Sequence, residues 1–305
     1  MSGRVVVIGD ALIDELRDDT GVREFVGGAA LNVAVGLSRL GVPTTLIAMV
    51  GDDEAGAHIR AYLGDFGVEL LATPSPLGSS RAVSTRSGGG EPEYVFNAAA
   101  QGRRIRFGAA ERQAIADAPV TVVSCFPFDD VAQTIELAES VADVDGALVI
   151  DPNPRSGMMH DRAEFVRGFE QLAARCALVK VGEDDATLLY GTPLDDLRAR
   201  LIDLGADAVL ATYGAAGAAV EAGDVIVTKP ISDAPGRVID TMGGGDAVLA
   251  SVVSAFVHGA PVSEDDWDAV LQTAMDVAAA TVRFEGALLR LPSALTGIDL
   301  DRIGT

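Results

Sequence analysis

An acidic residue follows three glycines shortly before the C-terminal apolar helices. The segment reads Asp240-Thr241-Met242-Gly243-Gly244-Gly245-Asp246, and a helical apolar run comes directly after it. Glycines leave backbone amides uncovered, and a helix N-terminus directs partial positive charge into the loop. The segment therefore predicts an anion hole suited to a phosphate group. The carboxylate of Asp246 can accept a proton from an attacking hydroxyl or can cap the helix, and these residues alone do not decide between the two.

Two N-terminal segments carry groups that could bind hydroxyls. Gly27 and Gly28 precede a helix that contains Asn32, whose amide offers both a donor and an acceptor. A plain glycine-rich helix start explains the same residues. Asp14 follows the first strand, and loops at strand carboxyl ends form the ligand side of an open parallel sheet. Asp14 could accept bonds from two hydroxyls, or could be a solvated loop acid.

Three later segments also follow strands. Arg155 in Asp151-Pro152-Asn153-Pro154-Arg155 is a candidate for binding a phosphate or a carboxylate, because its guanidinium is a planar fork of donors. Asp185, in the segment that begins at Lys180, could hold Mg²⁺ through water or could cap a helix. The turn Thr212–Gly217 could press its backbone against a nucleotide, or could be a simple tight turn.

Alternating strands and helices must position these residues. Short apolar strands such as Val5–Ile8 and Ala208–Thr212 alternate with helices such as Ala30–Leu40 and Asp246–Val257. This order predicts an α/β fold: a three-layer, doubly wound, mostly parallel sheet with helices on both faces. Two segments, 15–26 and 79–97, break the alternation. They predict a small β-sheet lid, with the glycines Gly88-Gly89-Gly90 at the tip of a hairpin.

Composition excludes several classes of function. The 305-residue chain has a formal charge of −22 and only two lysines, which disfavours binding to nucleic acid or to anionic membranes. The absence of GxxxxGK[ST] and of GxGxxG after the first strand argues against a P-loop enzyme and a Rossmann dehydrogenase. Two scattered cysteines and an N-terminus without a signal peptide predict a cytoplasmic protein. The scarcity of lysine also suggests a high-salt habitat, a hypothesis that a stability maximum at low salt would overturn.

Taken in order, these motifs resemble those of the ribokinase-like (PfkB-type) carbohydrate kinases. The Gly-Gly motif leading to Asn32 and the Asp-Thr-x-Gly-x-Gly-Asp motif ending at Asp246 are the two family signatures. The resemblance covers nearly the whole chain, as one kinase domain of residues 1–305 with a β lid. It implies ATP as co-substrate, Mg²⁺, activation by K⁺, and a homodimer formed through the lid sheet.

The resemblance also implies a role for each candidate residue. Asp246 is the general base, with Gly243, Gly244 and Gly245 as the anion hole. The sugar is bound by Asp14, Gly27, Gly28, Asn32 and Arg155. The nucleotide site contains Lys180, Thr212, Gly214 and Gly217, Asp185 is associated with Mg²⁺, and Asp240 and Met242 belong to a monovalent-cation loop.

Three residues depart from the family pattern. Gly244 stands where relatives usually have Ala, Gly182 where many have Asn, and Asp185 where a Glu is common. The backbone amide at position 244 is unchanged, so a working but looser anion hole is expected. The shorter Asp185 and the missing Asn place the metal and phosphate contacts in more doubt than the base.

Within the family the chain resembles fructokinases most. The Gly-Asp-Ala-Leu-Ile-Asp start and the late Arg283-Phe284-Glu285-Gly286-Ala287 segment support that branch. A 2-keto-3-deoxygluconate kinase is the alternative, with Arg103 or Arg104 replacing the arginine that such kinases have after the lid. Ribose or a nucleoside is a further alternative. A sugar- or nucleotide-binding regulator, or a hydrolase using the same loops, would be a different class of protein.

Overall fold

The computed structural model describes residues 3–18, 21–85 and 93–296 of the chain. Its strands are β1 (Val5–Gly9), β2 (Leu12–Asp18), β3 (Gly21–Gly27), β4 (Thr44–Gly51), β5 (Glu69–Ser75), β6 (Ser80–Thr85), β7 (Glu93–Phe96), β8 (Val120–Ser124), β9 (Ala147–Asp151), β10 (Leu178–Gly182), β11 (Ala208–Thr212), β12 (Ala218–Ala222) and β13 (Val225–Lys229).

Its α-helices are α1 (Ala29–Arg39), α2 (Glu54–Asp65), α3 (Ala98–Gln101), α4 (Ala109–Asp117), α5 (Val131–Ser140), α6 (Arg162–Ala173), α7 (Glu183–Asp185), α8 (Leu194–Leu204), α9 (Gly244–Phe256) and α10 (Glu264–Thr281). A π-helical turn, Ala186–Tyr190, continues α7.

A nine-stranded sheet forms the centre of the protein, in the order β13-β12-β11-β10-β9-β8-β1-β4-β5. From β5 to β11 the strands are parallel, and β12 and β13 add an antiparallel edge. Side chains alternate along each strand, so Val5 and Val7 face one apolar cluster while Val6 and Ile8 face the other. The first cluster includes α1, α2, α9 and α10, and the second includes α5, α6 and α8. This confirms the predicted three-layer α/β class.

A separate four-stranded sheet has the order β3-β2-β6-β7. We call it the small sheet. The described parts of segments 15–26 and 79–97 contribute its strands, although the first strand begins earlier, at Leu12. The predicted hairpin tip, Gly88-Gly89-Gly90, lies outside the described residues.

Hydrogen bonds fasten the base of the small sheet to the body. Asp53, which caps α2, accepts bonds from the backbone and hydroxyl of Ser79 at 2.8 and 2.6 Å. Asn97 donates to the carbonyl of Ser79 at 3.0 Å and accepts from the amide of Arg81 at 3.0 Å. These hydrogen bonds therefore join the small sheet to the body of the protein just before β6 and just after β7.

Candidate active site

The first turn of α9 brings Asp246 to Asn32 of α1. The Asn32 amide nitrogen donates to Asp246 Oδ2 at 2.8 Å. Gly243 is the N-cap residue of α9, with no side-chain capping bond, so the carboxylate of Asp246 does not cap the helix. Asp246 is only 9% exposed. The two signature motifs, more than 200 residues apart, thus meet through a hydrogen bond.

Neighbouring groups lie close to the glycines before Asp246. Gly243 has φ 73°, and a Cβ there would lie 2.6 Å from the carbonyl oxygen of Ala287. A Cβ on Gly244 would lie 3.2 Å from Val282 Cγ1, a tight contact that a small shift of Val282 would have to relieve. The amides of Gly245 and Asp246 belong to the first helical turn, which offers them no intrahelical acceptor. They are available to an anion.

Lys180 lies beneath this loop in a buried ion pair. Its Nζ is 3.2 Å from Asp151 Oδ1, and the two side chains are 8% and 0% exposed. A Cβ on Gly245 would be 3.3 Å from the same nitrogen. The sequence predicted Lys180 in a nucleotide site. The structure places its charge behind the anion hole, where it is held by Asp151, a residue that the sequence analysis did not select.

The Gly27-Gly28 turn is fastened by Asp10. Its Oδ1 accepts from the amide of Ala30 at 3.0 Å, and its carbonyl accepts from Leu31 at 3.2 Å. Gly28 has φ 109°, and a Cβ there would be 2.8 Å from the Asp10 carbonyl oxygen. A Cβ on Gly27 would be 2.3 Å from Asp14 Oδ2. The glycine pair therefore allows Asp14 to lie against the turn that leads to Asn32.

The acids of the site have shifted pKa values. Burial raises the pKa of Asp246 to about 6, although the Asn32 hydrogen bond and the charge of Lys180 oppose the rise. Burial, with the charge of Asp10 next in importance, raises the pKa of Asp14 to about 7. Both carboxyls therefore exchange protons near neutral pH, where a general base is most effective.

Arg155 lies on an exposed turn that follows β9. Its positive charge lowers the pKa values of Asp10, Asp14 and Asp246, against the larger rise that burial causes. No hydrogen bond joins its side chain to another described residue. Arg155 is therefore available to an anionic group.

Arg103 and Arg104, in contrast, are already engaged. Arg103 is 8% exposed and donates to the carbonyls of Cys125 at 3.3 Å and Met158 at 3.2 Å. Arg104 pairs with Asp130 at 3.6 Å. The predicted alternative, in which either arginine holds a substrate carboxylate, has no support in this geometry.

The donors for a divalent ion are few. Asp185 Oδ2 accepts from the amide of Gly182 at 2.6 Å, as in a helix cap, and burial raises the pKa of Asp185 to about 6. Within residues 3–18, 21–85 and 93–296, no group of three or more acidic, His or Cys side chains could hold a metal. One remaining carboxylate oxygen fits a hydrated Mg²⁺ that is bound mainly by water and phosphate oxygens.

The predicted cation loop is held by Asp240. Its two carboxylate oxygens accept from the amides of Met242 and Gly286, each at 3.1 Å. Both oxygens therefore brace the backbone, which leaves carbonyl groups as the available ligands for a monovalent cation.

The turn after β11 contains the remaining predicted nucleotide residues. Gly214 has φ 53° and Gly217 has φ 107°. A Cβ on Gly217 would clash with the carbonyl oxygen of Lys229, at a distance of 2.0 Å. Thr212 lies opposite Gly182 in the sheet. These residues occupy the same carboxyl edge as the anion hole, and no hydrogen bond among the described side chains links them to Asp246.

Comparison with known proteins agrees with this geometry. Residues 2–294 match the protein family described as "pfkB family carbohydrate kinase". It is 26% identical over 304 residues to the ATP-dependent 6-phosphofructokinase of Thermoanaerobacterium thermosaccharolyticum, covering 94% of this chain and 90% of that protein. It is 29% identical over 271 residues to a fructokinase of Rhizobium leguminosarum bv. trifolii, covering 82% of this chain and 79% of that one.

A solved structure supports the fold. Aminoimidazole riboside kinase from Salmonella enterica, complexed with aminoimidazole riboside and an ATP analogue, matches with a TM-score of 0.76 and 24% identity. The match covers 96% of this chain and 98% of that one. No helix in the described part of the chain is long and apolar enough to cross a membrane.

The fold and the site define a ribokinase-like sugar kinase. The match over residues 2–294 shows that the chain belongs to the pfkB family of carbohydrate kinases. It is a phosphotransferase with a sugar acceptor, as the resemblance of its motifs predicted. The alternatives of a regulator or a hydrolase are not supported.

The buried Lys180–Asp151 pair yields a stability prediction. Replacing Lys180 with Met leaves Asp151 charged and buried, so the free energy of unfolding should fall by about 3 kcal/mol in guanidinium titrations. Lys229→Met is the matched control, since Lys229 pairs with Asp268 at 2.7 Å in a more exposed setting and should cost about 1 kcal/mol or less. Equal losses in the two variants would contradict this account of Lys180.

Proposed function

We propose that the protein transfers the γ-phosphoryl group of ATP to a primary hydroxyl of fructose. The observation that carries the proposal is the Asn32–Asp246 hydrogen bond at the mouth of the anion hole. It joins a proton acceptor, a hydroxyl-binding amide and free backbone amides within one turn of α9. In-line phosphoryl transfer requires these groups close together.

Asp246 acts as the general base. In its ionised form it takes the proton of the primary hydroxyl as that oxygen attacks the phosphorus atom. Asn32 holds Oδ2 in place, which leaves Oδ1 for the substrate. The amides of Gly243 and Gly245, at the positive end of α9, stabilise the charge on the transferred group. The amide of Gly244, also expected in the anion hole, instead donates to the carbonyl of Thr241 at 3.2 Å.

The acceptor lies between Asp14 and Asn32. Asp14 accepts hydrogen bonds from sugar hydroxyls, and the bare backbone of Gly27 and Gly28 lets the sugar approach closely. Arg155, whose charge reaches the same carboxyls, orients the transferring phosphoryl group. The small sheet closes over the sugar as a lid and excludes water.

ATP lies along the carboxyl edge of the sheet, against Thr212, Gly214 and Gly217. Lys180 contributes its charge from behind the anion hole. When bound, Mg²⁺ would neutralise phosphate charge, and Asp185 is the residue that would hold it. The backbone of Asp240 and Met242 binds a monovalent cation, with K⁺ as the candidate.

Fructose is preferred to an acidic sugar because two of the three candidate arginines are engaged. Arg103 donates to backbone carbonyls and Arg104 pairs with Asp130, which leaves Arg155 alone for a carboxylate. The fructokinase relative supports the same choice. Aminoimidazole riboside, which one structural neighbour binds, is the second candidate. Use of ATP and a free sugar also fits a cytoplasmic protein. A homodimer formed through the small sheet, whose Val22 and Val95 are exposed, is part of the same proposal.

A substrate panel tests this proposal. ADP release should be measured with Mg-ATP and fructose, 2-keto-3-deoxygluconate, ribose, aminoimidazole riboside or fructose 6-phosphate, at low and high KCl. We expect fructose to give the highest kcat/KM, with stimulation by KCl. A higher value for another acceptor would replace fructose, and no sugar-dependent ADP release from any acceptor would overturn the proposed reaction.

The Asp246→Asn variant tests the base. The amide keeps the shape of the carboxyl but cannot accept a proton, so kcat should fall by about 10²–10⁴-fold while KM for ATP changes little. Coupled ADP release measures both constants. Its folding control is the melting temperature at pH 8, which should be no lower than in the wild type, since an ionised buried carboxyl is removed. Asp65→Asn, on the exposed end of α2, is the matched variant, and near-normal turnover of Asp246→Asn would refute the assignment.

The raised pKa values predict an acidic limb in the pH profile. Because Asp246 must be ionised, kcat/KM for fructose should be lost as pH falls through about 6, and ionisation of Asp14 should extend the dependence towards 7. Initial rates between pH 5 and 9 measure this. In the Asp14→Asn variant KM should rise and the upper part of the dependence should disappear. A profile that is flat down to pH 4.5 would contradict both assignments.

A further inference from the structure

A small cavity lies between the small sheet and the body of the protein. Asp14, Leu16, Phe25 and Ser84 line it from the small sheet, and Asp240 and Gly286 are among the residues that line it from the body. Phe25 closes one side, because its ring carbon Cδ1 is 3.6 Å from the position of a Cβ on Gly286. The cavity therefore adjoins Asp14, at the acceptor end of the site.

Ser84 is the unusual member of this lining. It is 8% exposed, and its hydroxyl has no hydrogen-bond partner among the described residues. Leaving a buried hydroxyl unpaired costs about 1–3 kcal/mol. No described side chain of the small sheet supplies a partner, so the hydroxyl is left to bind water or a ligand in the cavity.

Strand register shows that Ser84 and Asp14 share one face of the small sheet. Ser84 pairs with Leu16, and Asp14 pairs with Ala82 and Phe25. Side chains alternate along strands, so these residues point towards the cavity. The opposite face carries the ion pairs of Arg81 with Glu15, at 3.6 Å, and with Glu24, at 2.6 Å. The cavity-facing side is therefore distinct in chemistry from the outer side.

We infer that Ser84 is a specificity-determining residue whose hydroxyl binds an acceptor hydroxyl remote from the one that is phosphorylated. This rests on the proposed function. Ser84 can donate and accept, whereas Asp14 accepts, so together they recognise a polyol. No basic side chain is among the described residues that line the cavity, and four acids are: Asp14, Glu15, Asp240 and Glu285. The nearby Arg23 pairs with Glu285 at 2.5 Å. The acidic lining therefore favours an uncharged hydroxyl group of the acceptor over a phosphate group.

The Ser84→Ala variant tests the inference. We expect KM for fructose to rise about 3- to 10-fold, the loss of one hydrogen bond, with kcat and KM for ATP nearly unchanged. The melting temperature should not fall, because no bond within the protein is lost. Thr85→Ala is the matched control, as Thr85 is exposed on the opposite face of the same strand. Equal KM values for wild type and Ser84→Ala would overturn the inference.

Monodeoxy analogues of fructose provide a second readout. The wild type should lose several-fold in kcat/KM with one analogue, and Ser84→Ala should lose nothing further with that analogue. Equal losses of kcat/KM in the two enzymes with every analogue would show that Ser84 binds no acceptor hydroxyl, and would overturn the inference. Fructose 6-phosphate should be a poor acceptor for the wild type, and efficient use of it would also contradict the inference. If the wild type phosphorylates no sugar, it is the proposed function that fails.

Discussion

The close crossing of α1 and α9 is the constraint on which the active site depends. A Cβ on Gly36 would lie only 3.0 Å from the Cβ of Ala250, so the two helix backbones approach as closely as small residues allow. Asn32 is one helical turn before Gly36, and Asp246 is one turn before Ala250, so each shares a face with the contact residue. The packing that joins the helices therefore also places the Asn32 amide against the Asp246 carboxylate. A larger side chain at position 36 would separate base and amide without touching either.

Burial gives this site its reactivity and also creates an electrostatic problem. Asp10, Asp151 and Asp246 are all less than a tenth exposed. Lys180 neutralises Asp151. The pKa values of Asp10 and Asp246 stay raised, because the charge of Arg155 and the hydrogen bonds to these carboxylates offset the effect of burial only in part. Acids beside the anion hole repel a phosphate group, and the partial positive charge at the N-terminus of α9 counters that repulsion. The same burial raises the pKa of Asp246 into the range of a useful base.

The sequence predicted features formed by a few consecutive residues, and it could not predict features formed by residues that are distant in the chain. Glycine and acid spacing identified the loop before Asp246, because a helix start and its free amides are properties of a few consecutive residues. The sheet edge β12–β13 was missed, since short strands at a turn have no strong periodicity. Asp10 was not selected from the sequence, because its burial arises only when α1 folds back on β1. Ser84 was not selected either, because an unpaired hydroxyl can be recognised only when its surroundings are known.

In the proposed function, chemistry and acceptor recognition are built on different elements. The base and the anion hole depend on the α1–α9 packing, where a changed side chain would move the reacting groups. Ser84 and Phe25 project from strands whose backbone bonds define the small sheet whatever side chains they carry. Substitution at these positions can change the hydroxyls that are recognised while the Asn32–Asp246 contact stays intact. We therefore expect acceptor preference to be set by the inner face of the small sheet, and phosphoryl transfer by the helix pair.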